Sequence, residues 1–131
     1  MSTDLRLALP NRPGTLAQAC AALTTAGVAL EGVSGDLRPG DRWGYLHFLV
    51  DDAAAAKSAL EGVGIEVSAA HDVELCHVDG GADNILDAIS RYTKEDRNVE
   101  VLYLSHDGRL VIGTEDMRHE RPGVNISEAK Y

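Results

Sequence analysis

Positive charge is what this chain has least of. Its 131 residues carry 12 lysines and arginines against 21 aspartates and glutamates, a formal net charge of −9 at pH 7. A phosphate-tracking partner needs a clustered basic face, and no such cluster exists in the sequence, so nucleic acid and anionic membrane are excluded as partners. Cysteine is also scarce. Cys20 and Cys76 are the only two, too few for a disulfide framework and spaced for no zinc motif. Each reads as a small buried apolar residue. Long apolar runs are missing, since none reaches the ~18 residues of a membrane span. The start, with Asp4 and Arg6 among leucines, lacks the basic-then-apolar order of a signal peptide. Together these absences predict a reduced, cytoplasmic protein.

Catalytic signatures are missing as well. No serine sits in a nucleophile elbow and no phosphate loop is present. His47, His71, His77, His106 and His119 show no metal-ligand spacing, so neither metal nor cofactor is expected. The acid pair Asp51-Asp52 suits a helix cap better than acid–base chemistry.

What is present is the material of a globular fold. A hydrophobic content of 44% with 25% charged residues argues against disorder, and the length suits one compact domain or two small modules sharing a core. Leu5, Leu7 and Leu9 alternate as a half-buried strand. Asn11-Arg12-Pro13-Gly14 breaks it, and Leu16, Ala19, Cys20 and Leu23 form an apolar helical stripe that Gly27 ends. Residues 28–34 and 43–50 predict strands, the latter with Leu46, Phe48 and Val50 on one face and Tyr45, His47 and Leu49 on the other. A helix over 53–60 and a strand from Ile65 complete the order β-α-β-β-α-β.

The pattern then restarts. Strands are predicted over 73–78, 99–105 and 110–113, with a helical stripe of Ile85, Leu86, Ile89 and Tyr92 between the first two and a hairpin turn at His106-Asp107-Gly108. A shift of about 69 positions pairs Leu16 with Ile85, Leu23 with Tyr92 and Leu30 with Val99, a tandem duplication. Past the hairpin the second copy erodes. Residues 117–123 are too short and polar for a full helix, and only Val124 to Ile126 hint at a last strand.

The strand followed by Asn11-Arg12-Pro13-Gly14-Thr15-Leu16 and a helix ending Ala26-Gly27-Val28 resembles the ACT domain family, small amino-acid-sensing modules. His47-Phe48-Leu49-Val50-Asp51-Asp52 before an alanine-rich helix resembles it too, and Asn98-Val99-Glu100-Val101-Leu102-Tyr103-Leu104 resembles the family's second strand. The resemblance covers about residues 3–116. It implies an α+β fold of two ferredoxin-like βαββαβ repeats, 1–71 and a degenerate 72–131, with antiparallel sheets and helices on one face. It also implies a non-catalytic regulatory protein that binds a free amino acid or close analogue between paired modules. The strand–helix loop of one module (Asn11, Arg12, Pro13, Gly14, Thr15 and Leu16) would face the second strand of the other (Asn98 and Val99).

Physical chemistry supports part of this. Gly14 lets a ligand approach the backbone, the first amides of the helix seat a carboxylate, and Asn11 can both donate and accept. The same residues also make a plain tight turn, with Pro13 presetting the first helical residue. Asn98 is equally readable as a turn residue. Ala29 stands at its equivalent in repeat one, and the repeat-two loop, with Asp79 and Asp83, would repel a carboxylate. If the two sheets pair side by side, one seam per chain joins Asn11 to Asn98. Readout would pass to a regulatory target protein or through self-association into a homodimer. Two other readings remain. One is a small enzyme using the open sheet face of Trp43, Tyr45 and His47; the other is an interaction subunit whose ligand site has decayed.

Overall fold

In the computed structural model, residues 2–120 are described. Strand β1 (Thr3–Pro10) is followed by helix α1 (Thr15–Ala26), then strands β2 (Leu30–Asp36) and β3 (Trp43–Val50), helix α2 (Ala53–Gly62) and strand β4 (Glu66–Asp72). A second run follows: β5 (Glu74–His77), α3 (Ala82–Lys94), β6 (Val99–Leu104) and β7 (Arg109–Thr114). A single 3-10 turn, Glu115–Met117, leads into a last short strand, β8 (Arg118–Glu120).

Sheet one has the order β2-β3-β1-β4-β8 and sheet two the order β5-β7-β6. All pairings are antiparallel. The fold is therefore mixed α+β, and its first four strands take the ferredoxin-like arrangement. Sheet two sets its strands in the order β6-β7-β5, the same sense as β2-β3-β1 in sheet one. Val124 to Ile126 and Arg121-Pro122-Gly123 lie outside the described residues.

Alternation decides what each face of sheet one covers. Leu5, Leu7 and Leu9 of β1, Leu46, Phe48 and Val50 of β3 and Val67 of β4 all point to the helices, where Ala19, Leu23, Ala56 and Leu60 meet them. The alanines keep side-chain bulk low, so both helices lie close to the sheet. Asp52 caps α2, its Oδ1 accepting from the Ala55 amide at 3.1 Å. β2 begins two residues later than the sequence predicts. The Val28 amide is still donating to Leu23 O at 3.0 Å to close α1, so it cannot join a strand ladder. Leu16 differs from expectation too. It sits on the first turn of α1 at 38% exposure, outside the core, although its counterpart Ile85 packs into the second module.

The sheets do not pair side by side, as expected from the sequence. They pack face to face. Leu49, on the face of β3 opposite Phe48, is buried with Val101 and Val111, with Val73, Leu75 and Tyr103 around them. On the far face of sheet two, Leu110 and Ile112 pack with Tyr92 of α3. Both sheets carry apolar residues on two faces, so each needs a second cover, and stacking supplies it. The edge of β4 is occupied by β8 instead.

Strand β6 crosses sheet one transversely. Gly32, Leu49, Asp4 and His71 form one row across β2, β3, β1 and β4. Over that row lie Ser105 at Gly32, Tyr103 at Asp4 and Glu100 at His71. The crossing is close at the glycine, where a Cβ on Gly32 would sit 3.3 Å from both Ser105 Cα and the Tyr103 ring. Its turn is latched by His106, whose amide donates to Glu31 O at 2.9 Å.

No helix among the described residues is long and apolar enough to cross a membrane.

Candidate functional site

The loop after β1 is a closed structure. Thr15 Oγ1 donates to Pro10 O at 2.8 Å and to Arg12 O at 3.1 Å, while Arg12, Pro13 and Gly14 lie exposed above it. Gly14 stands at the head of α1 with φ +94°, a left-handed conformation that a side chain would strain. No side chain caps this helix and no acid lies in its first turn. The positive end of its dipole is thus left for an external acceptor.

Asn11 has a task that the sequence did not disclose. Its Nδ2 donates to Arg38 O and to Asp41 O, both at 2.9 Å, and its amide donates to Arg42 O at 2.8 Å. Both side-chain donors are therefore spent on fastening the β2–β3 hairpin to the end of β1. Asn11→Ala is expected to cost about 1–2 kcal/mol, two part-exposed hydrogen bonds, and to loosen residues 37–42. Urea unfolding and hydrogen exchange check this, and wild-type values in both would contradict it.

Asn98 and Val99 are elsewhere. Asn98 borders a separate depression with Arg97, Asp116 and Arg118, and Val99 packs into the α3 core. Within one chain they do not meet the Asn11 loop. That loop lies seven residues along β1 from Asp4, roughly 23 Å at strand rise, while β6 crosses the sheet at the level of Asp4.

The seam between the sheets holds a polar cluster. Asp4 is fully buried. It accepts from the Tyr103 hydroxyl at 2.6 Å on Oδ1, and His47 Nδ1 lies 2.8 Å from Oδ2. A carboxylate only accepts, so His47 Nδ1 carries the proton and Nε2 is left for other partners. His71, buried on β4, places Nε2 3.2 Å from Glu100 Oε1 and Nδ1 3.8 Å from Asp4. Glu100 also faces Arg118 at 3.6 Å, which ties β8 into the cluster. Arg6 donates to Ser68 at 3.1 Å and lays its guanidinium 4.1 Å from the centre of the Tyr45 ring. Burial, the nearby Asp4 charge and the hydrogen bond together push the Tyr103 hydroxyl far above the usual tyrosine range. A cavity of about 120 Å³ remains between Arg6, His47, His71, Glu100 and Arg118.

A larger cavity, about 310 Å³, opens where sheet two no longer covers sheet one. Its floor is the inner face of β3, with Trp43, Tyr45 and His47, and its wall is β2 and the hairpin, with Asp36, Arg38 and Asp41. Two of these wall residues, Arg38 and Asp41, are the ones that Asn11 holds by their carbonyls. Among the described residues no group of three or more His, Cys, Asp or Glu is placed to hold a metal ion.

Sequence reasoning assigned Tyr45 and His47 to a common face but missed Asp4, Tyr103, His71 and Glu100. The signal was available in part: Asp4 and Arg6 interrupt a leucine strand on its other face, with Arg6 in register with His47 and Asp4 with Leu49.

No family model matches the sequence, and no curated protein matches it. Solved structures do match. Protein BT0572 from Bacteroides thetaiotaomicron aligns with a TM-score of 0.72 at 19% identity, covering 88% of this chain and 80% of its own. The regulatory subunit of aspartate kinase from Thermus thermophilus aligns with a TM-score of 0.63 at 20% identity, covering 86% and 82%. The corresponding subunit from Thermus flavus gives 0.60 at 19%, with the same coverage. At such identities the likeness is one of fold, and the chain has the α+β fold of these proteins.

Proposed function

We propose that this chain is a non-catalytic regulatory protein of the ACT type that binds a free amino acid at the Asn11–Leu16 end of sheet one. The observation that carries the reading is the uncapped, glycine-headed start of α1 beside the hairpin that Asn11 fastens. Exposed first-turn amides suit a carboxylate, and in a chain of net charge −9 such a local positive site is what an anionic group requires. The shared fold with kinase regulatory subunits is in keeping with it. Any contribution from Asn98 and Val99 comes from a second copy of the chain, since one chain keeps them apart. Readout then passes to a separate target protein or through self-association.

A thermal-shift screen against the twenty amino acids, followed by calorimetry, tests this. A ligand that binds only the native state raises apparent stability. Gly14→Val, which blocks approach and strains the turn, is expected to weaken binding at least tenfold. If no amino acid binds up to millimolar concentration, the reading fails and an interaction subunit without a ligand replaces it. The enzyme reading draws on His47, fixed by Asp4 and bordering the open cavity. Against it, the strongly shifted Tyr103 faces the seam and not that cavity.

A further inference from the structure

Resting on that reading, we infer that the ligand's cationic groups and side chain lie in the cavity between β2 and β3, and that the ligand is a cationic amino acid. The volume of about 310 Å³ is at the low end for small-molecule sites and fits one amino acid. Its charged wall is acidic on balance: Asp36 and Asp41 against Arg38 alone. That arrangement leaves an excess of acid for the ligand's cationic groups.

The rest of the lining points the same way. Trp43, 51% exposed at the mouth, offers an aromatic face to a cation. Tyr45, directly across from Asp36, already carries one guanidinium, that of Arg6, at 4.1 Å from its ring centre. The environment is therefore one in which a cation over an aromatic ring is stable. His47, fixed by Asp4 through Nδ1, completes the floor of the cavity beside them. Glutamate would meet Asp36 and Asp41 with a second negative charge, and leucine, whose only cation is its ammonium, would leave one of the acids without a partner. Asn11 acts here as a positioning residue, because it sets the backbone of both Arg38 and Asp41.

Calorimetric titration of the whole chain with lysine, arginine, leucine and glutamate is the test. Lysine or arginine is expected to bind at least tenfold more tightly than leucine or glutamate. Asp36→Asn combined with Asp41→Asn is expected to abolish that preference, and Trp43→Ala to weaken binding at least fivefold with an unchanged urea midpoint. Equal binding of glutamate and lysine, or wild-type affinities in these variants, would overturn the inference. Its failure is separable from that of the function itself. Amino-acid binding that survives these variants but is lost in Gly14→Val keeps the regulatory reading and removes the cavity from it. Binding of 1,5-diaminopentane with no amino acid bound keeps a cation-selective cavity and overturns the amino-acid reading. No binding by any of these compounds overturns both.

Discussion

Asp4→Ala is expected to destabilise the fold by about 3–5 kcal/mol, the usual cost of removing one partner from a buried hydrogen-bonded charge cluster. The carboxylate is fully buried and serves Tyr103 from the second module and His47 from the first. Without it the Tyr103 hydroxyl and the His47 Nδ1–H lose the acceptor they share. Because the Tyr103 bond joins the two modules, the loss falls on their docking as well as on global stability. Tyr103→Phe should cost less and combine non-additively with Asp4→Ala, since both substitutions remove the same bond. Urea unfolding of the two single variants and the double variant measures this. A loss below about 1 kcal/mol for Asp4→Ala would mean that the cluster contributes nothing net.

Tyr92→Ala should be comparably severe, at about 3–5 kcal/mol, for a different reason. Tyr92 is the largest side chain buried in the second module, filling the space between α3 and Leu110 and Ile112. Arg91 donates to its hydroxyl at 2.7 Å, and both Arg91 and Arg97 lie over its ring. Among the described residues that module has one helix where the first has two, so no second helix there can move in to fill the cavity. Hydrogen exchange should show protection falling in β5, β7 and α3 more than in β1 and β3. A uniform fall across both sheets would mean one cooperative core in place of two.

Much of the first module could be read because its strands are two-faced at period two. Leu5, Leu7, Leu9 and Leu46, Phe48, Val50 mark a core face without ambiguity, and the observed β3 matches its expected bounds. Alternation says which residues share a face but not what covers the face. Asp4 and Arg6 read as a solvent side, and sheet two buries them. The Asn11 loop was located correctly, yet its donors bond to carbonyls 27 and 30 residues away, which no local pattern encodes. The separation of Asn98 from that loop follows from face-to-face stacking. The second-face residues that stacking buries, Leu49, Val101 and Val111, are too few and too scattered along the sequence to have chosen between edge-to-edge and face-to-face sheets. Gly32, in a strand otherwise without reason for a glycine, was the one local hint that another backbone passes close by.

The placement of β8 bears on how the chain matures during synthesis. Residues 118–120 leave the second module and zip onto β4 of the first, so sheet one takes its fifth strand only from the last part of the described chain. A ribosome that has released residues 1–72 has delivered every strand of a four-stranded sheet but has left the β4 edge bare, with His71 and Asp4 still open to water. An open edge of this kind invites pairing between nascent chains. The sequence that closes it arrives some forty-five residues later, about two to nine seconds at ordinary elongation rates. Within that interval the first module is most exposed to misassociation, and cutting the gene between the modules would make the interval permanent.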